Sequence, residues 1–114
     1  VGDNDTLAAI VARKVEADLL IVLSDIDGLY TANPREDPDA EVIDVVFSIT
    51  PEIYDLAGNK GTKLGTGGMV TKIKAAEIAM EAGIDMIIAN GTHPENLYRI
   101  LDGEKVGTKF RGKK

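Results

Sequence analysis

Residues 19–23 read Leu-Leu-Ile-Val-Leu, an unbroken apolar run, and residues 84–89 read Ile-Asp-Met-Ile-Ile-Ala, a second such run holding one acid. Strands that alternate apolar and polar side chains can leave one face in water. Strands without alternation need cover on both faces, which is the condition of parallel sheets flanked by helices. Two such runs predict an α/β layout in a chain of 114 residues, a length that supports one core and not two.

The segments between them fit the helical layers. Residues 6–17 carry Leu7, Ile10, Val11 and Val15 at helical spacing, with Asp3, Asn4 and Asp5 ahead of them as candidate N-caps. Thr50-Pro51-Glu52 predicts a cap with proline at the first helical position, leading a short helix to Ala57. The clearest helix spans 69–82. Met69, Ile73, Ala76 and Met80 share a face, Ala75, Ala79 and Ala82 permit close packing, and Gly83 follows as a stop. A further helix is expected over 94–101, an extended segment over 41–47, and a last, edge strand over 106–110. Residues 111–114 read as a solvated, frayed basic tail. The order helix–strand–linker–helix–strand–helix is that of an α/β sandwich.

Composition removes whole classes of chemistry. There is no cysteine, so disulfides, thiolate metal sites and thiol catalysis are excluded. The single histidine, His93, precedes a proline in a turn and is expected at the surface without a role. A net charge of −6 argues against non-specific nucleic-acid binding, which needs a basic face. The longest apolar run is far below the roughly 20 residues that span a bilayer, so no transmembrane helix is expected.

Three places can carry chemistry. Leu64-Gly65-Thr66-Gly67-Gly68-Met69-Val70-Thr71-Lys72 is a glycine-rich loop opening onto a helix, where orphan N–H groups and the helix dipole favour an anion. Lys72 falls in the first turn, within reach of the same anion. The spacing is neither a Walker A loop nor a complete dinucleotide fingerprint, and a flexible connection with a solvated lysine is the alternative. The second place, Ser24-Asp25-Ile26-Asp27-Gly28, follows a buried strand at its carboxyl end, where open α/β sheets bind ligands. Ser24 can hydrogen-bond phosphate, and Asp25 can accept from a nucleotide or orient a lysine; an Asx-turn closing the strand is the alternative. The third, Gly2-Asp3-Asn4-Asp5, can bind an ammonium group, hold lysines in position, or simply cap a helix.

In this order, GDNDTL, LSDIDGLYT and LGTGGM with TK resemble the C-terminal half of the kinase domain in the glutamate-phosphorylating members of the amino acid kinase family. The resemblance covers about residues 1–110 and includes Asn33-Pro34-Arg35 and Val106-Gly107-Thr108. It implies the nucleotide-binding half of that fold, a partial three-layer αβα sandwich on a mainly parallel sheet. It also implies transfer of the γ-phosphate of ATP, with Mg²⁺, to the side-chain carboxylate of L-glutamate. That is the first step of proline synthesis, in a cytoplasmic homo-oligomer.

By matching position, Asp3 and Asn4 would bind glutamate and Asp5 would organise the catalytic lysines. Ser24 and Asp25 would be the nucleotide-binding pair, and Thr66, Gly67, Gly68, Met69, Val70, Thr71 and Lys72 the ATP-binding loop, with Lys72 catalytic. Ser24 stands where the family often has Thr, and Val70 where a smaller residue is common. The family's N-terminal half, with its own glycine-rich loop and lysine, has no counterpart in this sequence. The expectation is therefore a fragment that is inactive alone and exposes a sheet edge prone to self-association. Three other readings stay open: a sibling kinase for aspartate, N-acetylglutamate or carbamate; a non-catalytic nucleotide-binding module; and an aspartyl-phosphate phosphatase using Asp25 and Asp27.

Overall fold

The computed structural model describes residues 19–24, 26–32, 36–59 and 68–113. The helix expected over 6–17 lies outside them. Four strands form one sheet in the order β1-β3-β4-β2. They are β1 (Leu19–Ser24), β2 (Val45–Val46), β3 (Asp85–Asn90) and β4 (Thr108–Phe110). The helices are α1 (Pro51–Tyr54), which continues as a π-helical turn (Asp55–Asn59), then α2 (Gly68–Glu81) and α3 (Glu95–Leu101). β1 pairs with β3 and β2 with β4 in parallel, while β3 and β4 run antiparallel. The sheet is thus mainly parallel, as expected.

The apolar run of β3 is buried along its length because helices cover both its faces. Met86 and Ile88 pack with Ile73, Ala76, Ala79 and Met80 of α2. Ile87 and Ala89 pack with Ile100 of α3. The alanines of α2 let the helix sit close on the sheet, although Ala82, expected to join them, is exposed beyond the helix end. β1 departs from the expected two-sided burial. Only Val22 is buried, and Leu23 is 47% exposed, because β1 is an edge strand of the described sheet.

Two further expectations are corrected. The last strand is not at an edge: β4 lies between β3 and β2, with Thr108 and Phe110 fully buried. Burying a side chain such as Phe110 contributes about 1.5–3 kcal/mol, which favours an inside position for this short strand. The basic tail is tied down as far as Lys113. Arg111 N–H donates to Val46, Gly112 N–H to the Asp85 carboxylate (2.7 Å), and Lys113 N–H to Met80. Lys109 Nζ lies 3.7 Å from the same carboxylate.

Helix boundaries agree with their sequence signals. Thr50 is the N-cap of α1, through its backbone carbonyl rather than its hydroxyl. α2 ends in a Schellman turn, with Gly83 at φ +77° donating to Met80 and Ile84 donating to Ala79. The extended segment over 41–47 narrows to β2 and an isolated bridge between Tyr30 and Val42.

Candidate functional site

The reversal at Gly83 sets where the candidate residues meet. α2 has 14 residues, about 21 Å at helical rise. β3 has six, about 20 Å at strand rise. Because the chain turns back between them, the N-terminus of α2 returns to the level of the carboxyl end of β3. β1 is parallel to β3 and in register with it, Ser24 opposite Asn90. The start of α2 and the loop after β1 therefore share the carboxyl end of the sheet, the end at which open α/β sheets bind ligands. Gly68, Met69, Val70, Thr71 and Lys72 form the first turns of α2. Met69 and Val70 pack half-buried on the core, and Thr71 and Lys72 are half-buried too. Asp3, Asn4, Asp5, Asp25, Thr66 and Gly67 lie outside the described residues.

The loop leaving β1 is held at both ends. Gly91 N–H donates to the Ser24 carbonyl (2.7 Å), joining the two strand ends. Ile26 N–H reaches Ser24 Oγ at 3.4 Å. Farther on, Leu29 is buried, and its N–H donates to Thr108 Oγ1 (2.9 Å). A Cβ on Gly28 would stand 2.7 Å from that hydroxyl, so glycine is needed for the approach. Residues 29–31 then pair with 41–43 through Ile43 N–H to Leu29 and Thr31 N–H to Glu41.

Between these anchors, Asp27 is exposed, and both its oxygens are engaged. Asn90 Nδ2 donates to Oδ1 at 3.0 Å, and the Tyr30 hydroxyl donates to Oδ2 at 3.3 Å. Burial first, then the Asp27 charge, raises the Tyr30 phenol above its ordinary value, so it remains a donor. Asp27 thus serves as an acceptor that ties the loop to β3. Asn90 is itself held from several sides. Its Oδ1 accepts from Thr92 N–H (2.9 Å) and Oγ1 (2.6 Å), and its carbonyl accepts from the buried Asn96 side chain (3.1 Å). Neither Asn90 nor Thr108 stands out in the sequence as functional. The available signal is that Asn90 ends the second apolar run and so falls at the carboxyl end of a parallel strand.

A polar cleft of about 420 Å³ opens on the α3 side, lined among others by Asp27, Asn90, His93 and Arg99. His93 is exposed there, 3.7 Å from Glu95, in keeping with a surface residue. On the α2 side, a groove of about 380 Å³ runs beside Tyr54 and Glu77. The Tyr54 hydroxyl donates to Glu77, and burial followed by this bond pushes the phenol up to about 12. Among the described residues no group of three or more acidic or histidine side chains could hold a metal ion.

The sequence pattern of the amino acid kinase family matches residues 1–90. A glutamate 5-kinase from Deinococcus radiodurans is 60% identical over 110 residues, covering 96% of this chain and 30% of that protein. One from Clostridium perfringens is 56% identical over 113 residues, covering 99% of this chain and 42% of its own length. The chain thus spans well under half the length of these relatives. Among solved structures, a uridylate kinase from Archaeoglobus fulgidus superposes with TM-score 0.66 at 29% identity, over 93% of this chain and 45% of that one. A carbamate kinase from Giardia lamblia shares the fold at TM-score 0.67 and 24% identity, over 97% of this chain and 32% of its own.

Proposed function

The chain belongs to the amino acid kinase family, and from that premise we propose that it is the nucleotide-binding half of a glutamate 5-kinase. The reaction moves the γ-phosphoryl group of ATP to a side-chain carboxylate oxygen of L-glutamate. A new O–P bond forms, the bond from Pγ to the β,γ-bridging oxygen breaks, and ADP leaves with that electron pair. The product is γ-glutamyl phosphate, the first intermediate of proline synthesis. The supporting observation is that the first turn of α2, with Lys72, and the Ser24 loop share the carboxyl end of the sheet.

Phosphoryl transfer asks a protein mainly for positioning and for charge opposite the phosphoryl oxygens. Thr66 to Lys72 supplies backbone amides at a helix N-terminus and one ammonium group. Ser24 and Asp25 hold the nucleotide from the neighbouring strand end. Asp3 and Asn4 take glutamate, and Asp5 orients the lysines. Val70 keeps its apolar side chain half-buried against the core, which its departure from the family pattern allows. Mg²⁺, bound to the phosphate oxygens of ATP, would lower the charge on the phosphates.

The acceptor is read from the GDND segment and from the relatives at 56–60% identity. The working enzyme is then a cytoplasmic homo-oligomer in which a second glycine-rich loop and lysine come from the rest of the protein. The test is hydroxamate formation by the intact enzyme with ATP and a panel of glutamate, aspartate, N-acetylglutamate and carbamate. Turnover selective for glutamate is expected; selectivity for another acceptor assigns the chain to a sibling kinase.

A further inference from the structure

Asp27, on the loop after β1, and Asn90, the last residue of β3, stand 63 positions apart in the chain, yet they are joined by a 3.0 Å hydrogen bond at the mouth of the sheet. Both ends of the loop after β1 are fixed by other means: pairing with β3 and Gly91 on one side, Thr108 and the burial of Leu29 on the other. Residues 26 and 27 between them are exposed. Ile26 N–H makes a long 3.4 Å contact with Ser24 Oγ, and the carboxylate of Asp27 is gripped by Asn90 and Tyr30. An exposed hydrogen bond adds little to global stability. This one sets the shape of a segment. Asn90 is itself immobilised, because its Oδ1 accepts twice from Thr92 and its carbonyl once from buried Asn96. The amide therefore presents its Nδ2 in one orientation, so the grip on Asp27 is directional.

We propose that Asn90 and Asp27 are a positioning pair for the nucleotide: the amide at the end of β3 holds the carboxylate of the β1 loop, and so keeps Ile26 to Tyr30 beside Ser24 in the shape that receives Mg-ATP. The pair touches neither the phosphoryl group nor glutamate. It acts through the segment that follows Ser24. This inference rests on the nucleotide-binding role given above to the Ser24 loop.

The test uses intact glutamate 5-kinase carrying this sequence. Asn90→Asp sets two carboxylates against each other and should raise KM for Mg-ATP about tenfold, as like charges at hydrogen-bond distance repel. KM for glutamate and kcat should each change less than about threefold, the split expected when binding of one substrate alone is weakened. The exchange Asp27→Asn with Asn90→Asp restores an amide facing a carboxylate, so it should return KM for Mg-ATP to within about twofold of wild type, as coupled pairs do. Calorimetry with Mg-ADP reads the same pattern without turnover, and melting temperatures confirm folding. A wild-type KM in Asn90→Asp, a rise in both KM values together, or an exchange variant no better than Asn90→Asp overturns the pair. Absence of glutamate turnover in a wild type that still binds Mg-ADP overturns the acceptor assignment alone, with the pair then decided by calorimetry. A wild type that binds no nucleotide overturns both.

Discussion

Lys72 is half-buried in the first turns of α2, and in the proposed reaction its charge matters most when the phosphoryl group is in transit. Lys72→Ala should lower kcat by about 10²–10³, the usual loss on removing one transition-state donor. KM for glutamate should change much less, because ground-state binding does not depend on that charge. Initial-rate kinetics of the intact enzyme check this; an unchanged kcat removes Lys72 from the chemistry. Thr108 is a second residue with a definable role. Its buried hydroxyl is the acceptor for Leu29 N–H. Thr108→Val preserves shape but orphans that N–H, a loss of about 1–3 kcal/mol. Chemical denaturation should show it, and Thr108→Ser should recover most of the loss.

The elements depend on their ends. Gly83 sits at φ +77°, and a Cβ there would stand 3.1 Å from the Lys113 carbonyl. Gly83→Ala should cost about 1–2 kcal/mol through the left-handed backbone alone, read as a lower denaturation midpoint. The same turn brings the start of α2 back to the site, so its integrity matters at both ends of the sheet. α1 and the π-helical turn are fastened to α2 by the Tyr54–Glu77 bond. A tyrosine in the unfolded chain ionises near pH 10, while Tyr54 in the folded protein holds its proton up to about pH 12. Above pH 10 the unfolded state loses this proton first. The stabilisation is therefore complete below pH 10 and is lost as pH rises toward 12. Between those values, the melting temperature of the intact enzyme should fall more steeply than that of Tyr54→Phe. Parallel curves would show that holding the Tyr54 proton contributes nothing there.

Across the whole molecule, the sheet is asymmetrically finished. β3 is covered on both faces, while β1 has an outer edge with no strand partner among the described residues and leaves Leu23 half-exposed. Unpaired edges of this kind invite pairing with another chain. The 114-residue chain by itself is therefore expected to give concentration-dependent association in gel filtration and no glutamate-dependent hydroxamate. Robust turnover by the isolated chain would refute the view that half of the catalytic groups lie elsewhere.

Much of this arrangement is legible in residue order. The apolar runs, the alanine-rich helix and the glycine after it are local signals whose causes, burial, helical period and a left-handed turn, act within a few residues. They account for β3, α2 and the Schellman turn, and the glycine loop and SDIDG segment marked candidate sites by the same kind of short-range chemistry. What tertiary structure alone decided was cover and neighbourhood. The run in β1 resembles that in β3, yet it is partly exposed because it borders the described sheet. β4 lies inside because β3 on one side and β2, from far earlier in the chain, on the other flank it. Asn90 faces Asp27 because parallel pairing puts the ends of β1 and β3 side by side, and no local pattern encodes which strands will be adjacent.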